Sequence, residues 1–118
     1  MEKVVIIFSG YNQRAIIAFL RTLEANKLRY AIIASSKDDP IFFTKYRDSI
    51  YSVRKMIPMV LEDLLNCVQD VQRKLTFSEC IIAPSTEALN RFLLSHRREF
   101  EKNNCEIPLV DDVLYETI

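Results

Sequence analysis

The sequence predicts a single α/β domain of three layers, a four-stranded parallel sheet with helices on both faces. Three observations predict it. Short runs that are apolar at every position recur at residues 4–8, 30–34 and 80–83, and such runs fit strands covered on both sides. Between them apolar residues return every three to four positions, the period of a helix with one buried face. The chain has 118 residues, 49% hydrophobic and 27% charged, the size and composition of one ordinary globular domain.

Val4-Val5-Ile6-Ile7-Phe8 is the first strand, closed by the turn signal Ser9-Gly10. Ile16, Phe19, Leu20 and Leu23 then share one helical stripe, with Arg14, Arg21 and Glu24 off it, and Asn26 ends the helix. Tyr30-Ala31-Ile32-Ile33-Ala34 is the second strand and completes a βαβ unit. Ser35-Ser36-Lys37-Asp38-Asp39-Pro40 is loop chemistry: short polar side chains bond their own backbone, and the proline stops a helix. Residues 41–48 suit a short helical turn, and Ile50-Tyr51-Ser52-Val53 a third strand. Pro58 fits the first turn of the next helix, expected over residues 59–75, with Leu61, Leu64, Val68, Val71 and Leu75 on its apolar face. Cys80-Ile81-Ile82-Ala83 is the fourth strand, closed by Pro84. Ser85 is the expected N-cap of a helix with Glu87 in its first turn. Its stripe of Leu89, Phe92, Leu93, His96 and Phe100 runs on to Asn103-Asn104. Ile107-Pro108-Leu109 reads as extended, and Asp111 as the cap of a last helix over residues 113–118. A helix that short is marginal unless docked. The expectation is therefore an N-terminal piece of a longer protein: a domain over residues 1–110, and the start of a connection to a missing domain over 111–118. Right-handed crossovers put helices on both faces of the sheet. The expected strand order is 3-2-1-4, a Rossmann-like arrangement.

Composition excludes several functions. The one glycine, Gly10, leaves no way to write a GxGxxG dinucleotide loop or a GxxxxGK[ST] phosphate loop. Sixteen Lys and Arg balance sixteen Asp and Glu, so no basic excess favours nucleic acid as a partner. The charge is uneven, about +5 over residues 1–55 and −5 over 56–118. This is either chance on a solvated surface or a basic edge facing an anionic ligand. No apolar stretch is long enough to span a bilayer, and the opening run is too short for a signal peptide. Cys67, Cys80 and Cys105, with His96 as the one histidine, form neither a zinc pattern nor a CxxC pair. Reduced, buried thiols in a cytoplasmic protein are expected, with Cys105 the most reactive in a polar loop.

Ligands of parallel sheets gather at the carboxyl ends of the strands. Those ends are Ser9-Gly10-Tyr11-Asn12, Ser35-Ser36, Arg54-Lys55 and Pro84-Ser85-Thr86-Glu87. Ser9 and Gly10 read either as an anion site, with close backbone approach and N–H groups at the helix start, or as a plain turn. Arg14 sits in the first helical turn, where the helix dipole disfavours a cation. It reads either as a surface residue or as one kept for an acid or an anionic ligand in the same crevice. Glu87 either accepts hydrogen bonds from a ligand hydroxyl or amine, or serves only the start of its helix. Asp38 and Asp39 are better explained by turn formation, and His96 by packing. No Ser-His-Asp or Cys-His set can be built, because His96 would have to serve every one. No catalytic or metal-ligating residue is assigned.

The order of parts resembles the N-terminal, or pre-ATP-grasp, domain of ATP-grasp enzymes such as biotin carboxylases and the large chain of carbamoyl-phosphate synthase. The resemblance runs through the whole chain: the opening strand and turn over residues 4–10, the loop Ser36-Lys37-Asp38-Asp39-Pro40, the segment Ile81-Ile82-Ala83-Pro84-Ser85-Thr86-Glu87-Ala88-Leu89, and the tail Glu106-Ile107-Pro108-Leu109-Val110-Asp111-Asp112. One departure is the first loop, glycine-richer in many relatives and here carrying Gly10 alone. The resemblance implies the substrate-side domain of a cytoplasmic carboxylate–amine ligase, not catalytic alone. ATP and Mg2+ would be held by a downstream ATP-grasp domain of the same chain, and the acyl phosphate would form there. This domain would contribute Ser9, Gly10, Tyr11, Thr86 and Glu87 to the pocket for a small carboxylate or amine. Arg14 is added by its place in the first helical turn. The alternative is a stand-alone α/β interaction or regulatory module without enzymatic activity. Its receiver-domain version is disfavoured, because strands one and three end on Ser9 and Val53-Arg54 where acids are needed. A homodimer stays open.

Overall fold

The structure, a computed structural model, describes residues 3–10, 12–56, 58–75, 79–83 and 86–107, with Glu87 described by its backbone only. Among the described residues five strands and four helices follow in the order β1 (Lys3–Phe8), α1 (Gln13–Ala25), β2 (Tyr30–Ala34), β3 (Ile50–Val53), α2 (Leu61–Lys74), β4 (Glu79–Ile82), α3 (Glu87–Ser95), α4 (Arg97–Lys102) and β5 (Cys105–Glu106). Two short 3-10 turns, Pro40–Phe43 and Lys45–Ser49, join β2 to β3.

The strands are all parallel, in the order β3-β2-β1-β4-β5. The α/β class and the order 3-2-1-4 hold, but the sheet has five strands, not four. The fifth is Cys105–Glu106, paired with Cys80 and Ile81 of β4. Two residues are too few to carry a periodic signal.

Side chains alternate along β1, as a pleated strand requires. Val4, Ile6 and Phe8 pack with Leu64, Val68, Leu89, Leu93 and Phe100, from α2, α3 and α4. Ile7 packs with Ile16, Leu20, Leu23 and Ala83 on the face that α1 covers. Helices therefore lie on both faces. Within the α1 stripe Phe19 differs from its neighbours: it is 37% exposed, while Leu20 is fully buried.

Three local expectations change. Helix α2 starts at Leu61, with extended Val60 before it and Pro58 in the preceding loop. The buried Asp63 carboxylate explains the late start, because it accepts the N–H groups of Lys55 and Met56, both at 3.1 Å. The single helix expected to run to Asn103 breaks at His96 (φ −118°, ψ 24°) into α3 and α4, and the break still turns Phe100 into the core. The cysteines are not all reduced. Cys67 is a buried thiol, pushed up in pKa chiefly by that burial, but Cys80 and Cys105 form a disulfide. The register explains the pair: β5 sets Cys105 directly opposite Cys80, which a spacing of 25 residues cannot reveal. Cys105 is thereby buried, not a reactive loop thiol. The N-cap of α3 is Thr86, one residue after the expected Ser85, and residues 108–118, with the rest of the extended segment and the last helix expected there, lie outside the described residues. No helix among the described residues is long and apolar enough to cross a membrane.

Candidate functional site

In the order β2-β1-β4, the connections from β1 and β4 leave on opposite faces, α1 on one and α3 on the other. Such a switch point opens a crevice beyond the strand ends. Its two sides are built differently.

The β1–β2 side is closed. Ser9 donates its N–H to the Ile33 carbonyl at 2.9 Å and its hydroxyl to Asp39 at 3.2 Å. Asp39 is 3% exposed and also accepts the Ser35 N–H and hydroxyl, both at 2.9 Å, and the Ile41 N–H at 3.0 Å. One carboxylate thus ties together the loop after β1, the loop after β2 and the first 3-10 turn. Gly10 adopts φ +105°, and a Cβ there would overlap Cβ and Oγ of Ser35. The loop needs its glycine because the chain after β2 passes against it, so Ser9 and Gly10 serve the turn. The reading of Asp38-Asp39 as turn formers holds: Asp39 caps the first 3-10 turn, and the Asp38 N–H donates to Ser36.

The β1–β4 side is open. A cavity of about 320 Å³ lies there, lined among the described residues by Ile7, Ile16, Phe19 and Ala83, with Ala15, Asn12 and Thr86. Asn12 and Thr86 are the N-caps of α1 and α3: the Asn12 side chain accepts the Ala15 N–H and the Thr86 hydroxyl accepts the Leu89 N–H, each at 3.2 Å. Two helix starts, each carrying partial positive charge, therefore frame one partly apolar cavity.

Of the expected site residues, Thr86 lines the cavity and Glu87 follows it as the first residue of α3, with only its backbone described. Tyr11 lies outside the described residues. Arg14 does not line the cavity. It flanks a separate shallow groove of about 430 Å³ along α1, with Gln13, Ile17, Ala18 and Arg21. It nonetheless stands within one helical turn of Asn12 and Ala15, which line the cavity. Asn12 is expected at this strand end, whereas the sequence pattern places Ile16 and Phe19 only in the core stripe and does not single out Ala15. They stand at i, i+3, i+4 and i+7 from the N-cap, and that spacing is the signal that puts one face of the first two turns toward the strand ends.

Nothing in the described part of the site is equipped for covalent or acid–base catalysis. His96 stacks on Phe92 (ring centroids 4.6 Å apart) at the C-terminal end of α3, whereas the cavity sits at that helix's N-terminus. Among the described residues no group of His, Cys, Asp and Glu is placed to hold a metal ion. Comparison with protein-family models, with curated proteins and with solved structures finds no match for this chain.

Proposed function

We propose that this chain is the substrate-side domain of an ATP-dependent carboxylate–amine ligase of the ATP-grasp kind, binding the acceptor substrate and not catalytic alone. The observation that carries the reading is the cavity between β1 and β4, framed by the caps Asn12 and Thr86, with no nucleophile–base pair among its described lining residues. A binding domain needs such a pocket, and a complete enzyme would need more than it. The sequence pattern of residues 4–10, 36–40 and 81–89 resembles the family's N-terminal domain and supplies the reaction class. In this reading ATP and Mg2+ bind a downstream ATP-grasp domain, the whole works in the cytoplasm, and the acceptor's apolar part packs on Ile7, Ile16 and Phe19. Its polar end meets the helix starts at Asn12 and Thr86, with Glu87 beside them.

Two titrations of the 118-residue chain test this. Small carboxylates and amines, followed by amide NMR, should move the signals of Ile7, Asn12, Phe19 and Thr86 and leave β3 unmoved. Calorimetry with Mg-ATP should show no tight site, because the sequence has no glycine-rich phosphate loop. A tight Mg-ATP site on this chain, or ligands that perturb only surfaces away from the crevice, would overturn the reading.

A further inference from the structure

We infer that Cys80–Cys105 is a reversible thiol–disulfide clasp, which fastens β5 to the sheet beneath an acidic collar that discriminates among thiols by charge. The disulfide joins two strands in direct register. Strand β5 is the edge of the sheet and only two residues long. So short a strand has little backbone pairing of its own; beside the disulfide, the Cys80 N–H donates to the Asn104 carbonyl at 3.0 Å.

Non-covalent contacts also hold the chain on either side of β5. Gln69 donates to the Asn103 side chain at 3.2 Å, Arg97 donates to the Ile107 carbonyl at 3.1 Å, and Ile107 itself is buried. Cys80, Cys105 and Ile107 belong to the apolar cluster of α2, α3, α4 and the strands, at the sheet edge that β5 forms. The bond secures the edge of that cluster, and an edge can open while the rest of the core stays folded.

Both sulfur-bearing residues are almost fully buried, yet they line a cavity of about 290 Å³ that opens to solvent. Glu79, Glu101 and Glu106 line the same opening, and Lys3 bridges Glu106 at 3.3 Å and Glu79 at 3.6 Å. Three carboxylates and one ammonium leave the mouth net negative. Thiol–disulfide exchange proceeds through a thiolate, so the attacking species is an anion entering an anionic mouth, and a thiol that carries a cation elsewhere is favoured.

The chemistry balances with small thiols as the reductant. A thiolate RS⁻ attacks one cystine sulfur, the Sγ–Sγ bond breaks, and the departing protein thiolate takes a proton from solvent. A second RS⁻ attacks the mixed disulfide and releases RSSR and the other protein thiolate, which is protonated in turn. Two RSH are oxidised to RSSR as one protein disulfide becomes two thiols, and a small disulfide drives the reverse.

Reduction of the folded chain is timed by mass spectrometry with three thiols at equal thiolate concentration: cationic cysteamine, neutral mercaptoethanol and anionic mercaptoethanesulfonate. Cysteamine should be faster than mercaptoethanesulfonate by about tenfold at low salt. That ratio should fall to about twofold at 1 M salt and shrink likewise in Glu101→Gln. Hydrogen exchange should show the Cys80, Glu106 and Ile107 amides losing protection on reduction while β1 and β2 keep theirs. Reoxidation with a small disulfide should restore it. The inference is overturned if the oxidised-buffer chain still carries three alkylatable thiols, if reduction occurs only when the whole chain unfolds, or if the rates ignore reductant charge. All three readouts use the unsubstituted chain; Glu101→Gln, on an exposed α4 position, adds to them without being required.

Discussion

Replacing Asp39 by alanine should destabilise the chain far more than the loss of a loop residue. Its carboxylate accepts four hydrogen bonds, from the Ser9 hydroxyl, the Ser35 N–H and hydroxyl, and the Ile41 N–H. The two hydroxyls can turn elsewhere, but the two backbone N–H groups stay fixed by the chain. An N–H left unpaired in a buried place costs about 1–3 kcal/mol, so two of them put the loss near ~3 kcal/mol. For a domain of this size that lowers the melting temperature by roughly 12 °C, taking ~2.1 cal/mol/K of unfolding entropy per residue. Urea denaturation at neutral pH, fitted to two states, measures the loss directly. A double-mutant cycle with Ser9→Ala should show coupling above ~0.5 kcal/mol, because the two side chains share a bond. If Asp39 only caps the 3-10 turn after it, the loss is ~1 kcal/mol and no coupling to Ser9 appears. That result would refute the assignment of Asp39 as the tie between the two loops.

The same measurements bear on the neighbouring positions. Gly10→Ala should cost at least ~2 kcal/mol, since it adds a strained φ and drives a Cβ into Ser35; a loss below ~0.5 kcal/mol would show that the loop has room. Ala15→Leu, at an exposed helical position that lines the crevice, should leave stability within ~0.5 kcal/mol and abolish ligand-induced shifts at Thr86; unchanged shifts would move the ligand elsewhere. Burial raises the pKa values of Tyr46 and Tyr30 above the usual tyrosine range. The unfolded chain then loses those protons first as pH rises, so this contribution to stability is complete below about pH 10 and fades above it. Denaturation midpoints should fall from pH 9.5 to 11, and Tyr46→Phe should flatten the fall; equal slopes in the two proteins would assign it to other groups.

The parts of the fold legible in the sequence are those where several residues repeat one message. Residues 4–8, 30–34 and 80–83 are apolar at every position, and burial on both faces demands that. The parts that stay hidden depend on pairing at a distance. Strand β5 exists because Cys105 and Glu106 find β4, and no two-residue segment announces that. The break at His96 is hidden because Phe92, Leu93, His96 and Phe100 keep helical spacing across it. The start of α2 is set by Asp63 reaching back to Lys55 and Met56, a contact that outweighs the local preference of Pro58 for a first turn. At the site, the rule of strand carboxyl ends finds Thr86 and the Gly10 loop. It does not separate Phe19 from the core stripe, because one helical face first meets the crevice and then the sheet.

The closure of one side of the crevice also determines where a ligand can sit. A switch point with both flanks open offers a ligand contacts to the loops after β1, β2 and β4 alike. Here the Ser9–Asp39–Ser35 bonds bring the first two loops together, close enough that only glycine fits at position 10. A ligand inserting there would have to break four hydrogen bonds to a buried carboxylate. On the other flank Ile7, Ala83 and Phe19 line the open cavity. The sheet therefore uses its single glycine to shut one flank, and the shut flank holds α1 in the position that leaves its Asn12 end facing the open one. Loosening Asp39 should accordingly weaken binding at Thr86 through the placement of α1, even though Asp39 does not line the cavity.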